Sequence, residues 1–259
     1  MSGSPAGSTY RLVLAYDGTE YHGWQLQAGV PTVAGRFLDA LESATGARPR
    51  VRAAGRTDAG VHAHGQVVSF ALERPIPPAR LLHACNQHLP HDIAVVAAEL
   101  AEDGFDPRRD AWRRSYRYLL SPSSTISPWL ARYSWRVSPA LELEPMREAA
   151  RALLGTHDFG ALGRSPWPGG STTRTLDMIA IERTEGLVRV DVRGDAFLRG
   201  MLRNLVGALV SFGVHHPRRV DVTTILEPGR GRRWLTAPPR GLHQWRVEYH
   251  RPAMVGVLP

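Results

Sequence analysis

Residues 54–63, Ala-Gly-Arg-Thr-Asp-Ala-Gly-Val-His-Ala, concentrate the chemistry of this chain. One carboxylate, Asp58, stands between Gly55 and Gly60, with Arg56 two positions before it. The glycines let the backbone turn sharply and approach a ligand with no Cβ in the way. Arg56 offers a planar, permanently charged fork that can hold a carboxylate ionised or grip a phosphate. Read alone, Thr57-Asp58-Ala59-Gly60 is also the composition of a plain turn in which the aspartate bonds its own backbone.

A second constellation fills residues 106–118, Asp-Pro-Arg-Arg-Asp-Ala-Trp-Arg-Arg-Ser-Tyr-Arg-Tyr, with five arginines and three aromatics. On a strand, Trp112, Arg114, Tyr116 and Tyr118 share one face, and Arg113, Ser115 and Arg117 share the other. Rings that stack on unpaired bases beside guanidiniums that hold the backbone suit RNA; the same alternation also describes an edge strand with a half-buried aromatic face. A third group lies in residues 197–212, where a helix would set Arg199 and Arg203 on one face with Asn204 on a neighbouring row. A solvated basic stripe opposite the core is the simpler account of that spacing. His62 and His64 alternate as zinc ligands can, but the chain offers one cysteine and no carboxylate or histidine at helical partner spacing nearby, so no metal site is assigned. His215-His216 reads as a cap near a helix's negative end. With no glycine-rich nucleotide fingerprint, no cofactor is implied.

Taken whole, residues 54–63 continuing through Gly65-Gln66-Val67-Val68-Ser69-Phe70 closely resemble the signature of the TruA family of tRNA pseudouridine synthases. The resemblance makes Asp58 catalytic. Tyr116-Arg117-Tyr118 resembles that family's second motif, whose first tyrosine, Tyr116 here, packs against the target base. Residues 197–207 resemble the third, in which Arg203 pairs with the aspartate and favours its charged form. Arg56 joins Tyr116 and Arg203 as substrate-binding, and Arg108, Arg114 and Arg199 are candidate RNA contacts. The likeness runs from Tyr16-Asp17-Gly18-Thr19 and Gly23-Trp24-Gln25 to Thr236-Ala237-Pro238 and Gly241-Leu242. Arg108-Arg109-Asp110-Ala111 departs from the family's Arg-Phe-Ser-Ala, and His243 stands where a tyrosine is frequent; both touch RNA contacts rather than the carboxylate.

The resemblance implies an α+β fold of two similar α/β subdomains with antiparallel sheets joined across a central cleft, a homodimer, and conversion of uridine to pseudouridine at positions 38–40 of the tRNA anticodon arm without a cofactor. Two other readings remain open: the same chemistry on another RNA or a uridine nucleotide, and a non-catalytic RNA-binding module. An intact Asp58 in an unbroken signature argues against the latter, since binding alone needs no such acid.

The elements that must position these residues can be read from local pattern. Strand-like alternation over residues 10–16 stops at Asp17-Gly18. Thr32 caps a helix whose apolar face is Val33, Phe37, Leu38 and Leu41, ended by Gly46. Strands follow near residues 50–54 and 65–71, so the Asp58 loop links two strands; a helix over 78–88 and a strand over 92–99 complete a first half. Residues 101–107 read as the crossover, dividing an N-terminal subdomain (1–105) with the Asp58 loop from a C-terminal one (106–259) with Tyr116 and Arg203. The second half reads as a strand over 111–120, a helix over 144–154 closed by Gly155, a hairpin of 173–183 and 187–193 over Thr184-Glu185-Gly186, the helix 197–212 and a last strand over 242–249.

Charge separates the halves. Residues 1–105 carry 8 arginines against 10 acids, net −2, and residues 106–259 carry 24 against 14, net +10. Such a basic half, with a pI near 10.4, points to a polyanion. All 32 basic residues are arginine, which removes Schiff-base lysines, pyridoxal phosphate attachment and the P-loop lysine together. The single cysteine, Cys85, rules out an internal disulfide and fits a reducing cytoplasm. No apolar run approaches the length of a membrane span, and residues 1–8 read as a frayed, polar leader rather than a signal peptide.

Overall fold

Tyr10, Leu12 and Leu14 alternate inward along β1 (Ser8–Tyr16) and are fully buried, as period-two patterning on a half-buried strand requires. The computed structural model describes residues 7–215, 225–227 and 234–250. The histidine at position 216, the side chain of His215 and most of the N-terminal leader lie outside the described residues. The chain forms two compact units, Met1–Trp112 with Gln244–Pro259, and Arg113–His243. The C-terminal segment thus groups with the first unit.

In the first unit the sheet runs β4 (Ile93–Leu100), β1, β3 (His62–Leu72), β10 (Leu242–Tyr249), with the short β2 (Arg52–Ala53) antiparallel to β3. β1 pairs antiparallel with both β3 and β4. Two helices cover it, α1 (Val33–Thr45) and α2 (Pro78–His88), and Phe37, Leu41, Leu81 and Cys85 join the β1 and β3 side chains in one core. The expected signals bound α1: the Thr32 hydroxyl accepts from the Gly35 N–H at its start, and Gly46, at φ 71°, ends it. Burial pushes the Cys85 thiol up to about 11, so this cysteine is a protonated core residue.

The second unit is built on β5 (Ala111–Pro122), β9 (Leu187–Gly194), β8 (Thr173–Thr184) and β7 (Gly155–Asp158), in that order, with β6 (Trp135–Val137) parallel to β5. β5–β9, β9–β8 and β8–β7 are all antiparallel. Tyr118, Leu120, Val188, Val190 and Val192 are buried in this unit. So are Met146, Ala149 and Leu153 of the α4 region (Leu143–Ala152) and Leu205 and Leu209 of α5 (Met201–His215). The β8–β9 hairpin turns on Glu185 at φ 50° and Gly186 at φ 80°, the doubly left-handed turn that matches strand twist. Mixed helices and antiparallel sheet make this an α+β protein.

Two boundaries differ from the sequence reading. The α5 helix starts at Met201, not 197, because Arg164 and Arg199 exchange backbone hydrogen bonds and Gly200, at φ 78°, turns the chain into the helix only afterwards. Arg199 is therefore not one turn before Arg203 on a common helical face. The α4 helix stops at Ala152, and Gly155 opens β7 rather than closing the helix.

Candidate active site

In the first unit the Asp58 loop is held by the segment after β1. The Trp24 N–H donates to the Thr57 carbonyl at 3.1 Å, and the Gly60 N–H donates to the Tyr21 carbonyl at 3.2 Å. The Tyr16 hydroxyl meets the Thr57 hydroxyl at 2.9 Å, both buried. Gly23 sits at φ 87°, and a Cβ there would lie 2.5 Å from the Thr57 carbonyl oxygen and 3.1 Å from the Asp58 carbonyl carbon. Only glycine permits that approach. Gly18 is under the same constraint: its Cβ would stand 2.0 Å from the Val61 carbonyl oxygen.

From the other side, Gln66 of β3 donates to the Gly55 carbonyl at 2.7 Å and accepts from Gln244 at 3.3 Å. His62 is buried, and its Nδ1 accepts from the Gly18 N–H at 3.1 Å while lying 3.0 Å from an Asp17 carboxylate oxygen. These contacts compete for one nitrogen, since the first needs it unprotonated and the second needs its proton. His64 packs on Trp245 with ring centroids 4.4 Å apart. Within the loop Thr57 is buried, Asp58 half-buried and Arg56 exposed. The carboxylate is thus carried on a backbone fixed at both ends, and the Val61 N–H closes the turn onto the Asp58 carbonyl at 3.1 Å. Sequence reading singled out Asp58 as a candidate but not the residues that hold its loop: Tyr16, Gly18, Gly23, Thr57, His62 and Gln66. The available signal was Gln66, a fully buried amide in an apolar strand that requires partners.

Arg108 also lies in this unit. It is exposed, and its backbone N–H donates to the Asp106 carboxylate at 2.9 Å. Burial works against ionisation of Asp106, but the backbone donors of Arg109 and Arg108 and the charges of Arg109 and Arg52 outweigh it and hold the carboxyl below its usual value. A separate open hollow of about 610 Å³ is lined by Tyr21, Arg36, His88 and Asp92 among others, and Asp58 is not on its wall. There the Tyr21 hydroxyl donates to Asp92 at 2.7 Å, and burial with that bond raises the phenol well above its ordinary value.

In the second unit Tyr116 is half-buried and meets the Phe197 ring edge-on at 5.0 Å. It pairs across the sheet with the buried Val192, and Arg114, two residues before it on the same face, donates to the Asp195 carbonyl at 2.6 Å. The opposite face carries an ion-pair ladder. Asp177 binds Arg113 and Arg193, and Asp191 binds Arg117 at 2.8 Å and Arg189 at 2.9 Å. Arg113 and Arg117 are therefore matched with acids.

Arg203 lies in the first turns of α5, where its Nε donates to the Ala237 carbonyl at 2.7 Å while its own carbonyl accepts from the Ala237 N–H at 3.1 Å. Beside it Asn204 donates to the Leu162 carbonyl and accepts from the Thr236 hydroxyl at 2.7 Å. Gly207 lets this segment in, since a Cβ there would lie 1.6 Å from the Leu235 carbonyl oxygen. Tyr118 closes the group by donating to the Pro238 carbonyl at 2.7 Å; burial raises its phenol far above the ordinary value, against the charges of Arg203 and Arg240. His243 is buried, with Nε2 3.1 Å from the Tyr133 carbonyl. Arg199 is exposed.

Comparison with known proteins converges on one family. The model described as tRNA pseudouridine synthase matches residues 12–108 and 149–250, which include Asp58 and Arg203. The tRNA pseudouridine synthase A of Thermoanaerobacter sp. (strain X514) is 38% identical over 239 residues, covering 92% of this chain and 98% of that protein. The enzyme of that name from Myxococcus xanthus is 43% identical over 242 residues, covering 92% and 91%. That from Syntrophotalea carbinolica is 40% identical over 243 residues, covering 93% and 96%. With a shared model across most of its length and relatives aligned nearly end to end, this chain belongs to the tRNA pseudouridine synthase family.

Proposed function

We propose that this enzyme isomerises uridine to pseudouridine at positions 38, 39 and 40 in the anticodon stem-loop of tRNAs. The observation that carries the reading is the Asp58 loop: one carboxylate on a backbone pinned by Trp24, Tyr21 and Gln66, in a chain of this family. The reaction breaks the C1′–N1 bond, turns the uracil and joins C1′ to C5. N1 gains a proton as C5 loses one, so atoms balance with no electron donor or acceptor.

Asp58 acts as nucleophile at ribose C1′ or base C6, or as base at C2′ through a glycal; each role needs the ionised carboxylate. Arg203 supports that charge and Arg56 holds the substrate. Tyr116 stacks on the detached uracil while it turns, and its phenol takes the C5 proton. The target must leave the helical stem, at a cost of a few kcal/mol offset by stacking and phosphate contacts. Arg108, Arg114 and Arg199 serve the RNA backbone, the N-terminal half supplying the carboxylate and the basic C-terminal half the tyrosine and Arg203. The family likeness supports a homodimer, and the lone reduced cysteine supports a cytoplasmic setting.

The test gives purified enzyme mass-labelled tRNA and, separately, free uridine nucleotide. Pseudouridine at 38–40 with no turnover of the nucleotide is expected; turnover of the nucleotide alone overturns the assignment.

A further inference from the structure

The loop between Leu162 and β8 carries a solvent-facing tryptophan in a rigid frame. Trp167 is 58% exposed, between Pro166 and Pro168. The Gly170 N–H donates to the Trp167 carbonyl at 3.1 Å across Pro168-Gly169, and Gly169 sits at φ 69°. Proline then left-handed glycine is the pattern of a type II turn, whose geometry both residues set in advance. Gly170 lies under the indole: a Cβ there would be 3.0 Å from Trp167 Cδ1 and 2.2 Å from the Ser165 hydroxyl oxygen. At the loop's entry Arg164 and Arg199 exchange two backbone hydrogen bonds, of 3.2 and 3.0 Å, and both arginines are exposed. At its exit Arg174 donates to the Ser171 carbonyl at 3.0 Å.

A singly exposed apolar residue is ordinary on a soluble surface, so what sets Trp167 apart is its frame rather than its exposure. Here the loop fixes its backbone in advance, which lowers the entropy lost on binding. The residues that bound the loop, Arg164 with Arg199 at its entry and Arg174 at its exit, are cations, in the half of the chain with net +10. We infer that Trp167 is a stacking platform for an unpaired base of the substrate tRNA, with Arg164 and Arg199 holding the adjoining phosphates. This rests on the reading that tRNA is the substrate. Every base offers a π-face, so such a platform tolerates sequence and adds affinity and register rather than chemistry.

The experiment measures tRNA dissociation constants and steady-state pseudouridine formation for the parent, Trp167→Ala, Trp167→Phe and Arg164→Gln. Trp167→Ala is expected to weaken tRNA binding and raise KM by about tenfold, with kcat moving less. Trp167→Phe, which keeps a ring, recovers most of that loss, and Arg164→Gln lowers the salt slope of binding by about one. An active parent whose tRNA affinity is unchanged by Trp167→Ala overturns the platform. So does a Trp167→Ala protein that differs only in self-association by sedimentation, which would assign the indole to a protein contact. A parent that binds tRNA through Trp167 but makes no pseudouridine keeps the platform and removes the function proposed above; a parent that does neither removes both.

Discussion

The Asp58 loop and the β5–β9–β8 sheet both present charged groups, and they hold them by opposite means. Asp58 sits on a backbone fixed by carbonyl and amide bonds from the 16–24 segment and by Gln66, with Gly18 and Gly23 where the two segments approach most closely. On the sheet, Arg113, Arg117, Arg189 and Arg193 are held by their own side chains against Asp177 and Asp191. The first design fixes one carboxylate's position through the backbone that carries it. The second matches charge against charge, so the 24 arginines of residues 106–259 overstate the number of cations a polyanion could use. Position matters most at the loop, and charge balance matters most at the sheet.

That contrast can be broken at graded cost. Asp58→Ala should lower single-turnover isomerisation by at least about a thousandfold, about 4 kcal/mol of barrier, while thermal unfolding and tRNA affinity stay near the parent's; a few per cent of residual activity would contradict the comparison. Tyr116 comes next. Its ring already packs on Phe197, so Tyr116→Phe keeps the packing and removes only the hydroxyl. With the phenol as the C5 acid–base, Phe and Leu variants should both fall by about a hundredfold or more, stalled after bond cleavage; a fully active Phe variant reduces Tyr116 to stacking.

Gly23→Ala tests positioning without touching a functional group. A left-handed residue facing the Thr57 carbonyl at 2.5 Å should cost about 2 kcal/mol of stability, read by denaturant unfolding, and should lower activity in the protein that remains folded. Parent-like values for both would show the loop to be plastic. The smallest effect belongs to the ladder. Burial opposes ionisation of Asp177, but hydrogen bonds from Arg193 and Arg113 outweigh it and lower its pKa. A depressed carboxyl stabilises the fold above its unfolded pKa and loses that contribution as pH falls through the folded one. Asp177→Asn should therefore lower stability by less than about 1 kcal/mol at pH 7, given its exposure, with the difference vanishing in acid. A difference that grows on acidification has the wrong sign.

What the sequence disclosed was local. Thr32 and Gly46 mark α1 because a cap hydroxyl and a left-handed glycine act within a few residues of themselves, and Glu185-Gly186 marks its hairpin for the same reason. Asp58 was legible from its glycines and its motif. The start of α5 was not, because the Arg164–Arg199 bridge that delays it joins residues far apart in sequence. Gly155 resembles a helix stop but begins a strand paired with Leu176, and β7, β6 and α3 (Pro128–Ala131) are too short for periodicity to mark. The supports of the loop were hidden likewise: Gly18, Gly23 and Tyr16 show their purpose only when residues 57–62 are laid against them.

The central claim is that Asp58 of this chain makes pseudouridine in the tRNA anticodon arm. Its most direct test is base-resolution pseudouridine mapping of tRNA from cells lacking the protein, complemented with the parent or with Asp58→Ala. The account predicts loss at positions 38–40 in the deletion, restoration by the parent and none by Asp58→Ala at equal protein level. Unchanged pseudouridine in the deletion, or full restoration by Asp58→Ala, would contradict it.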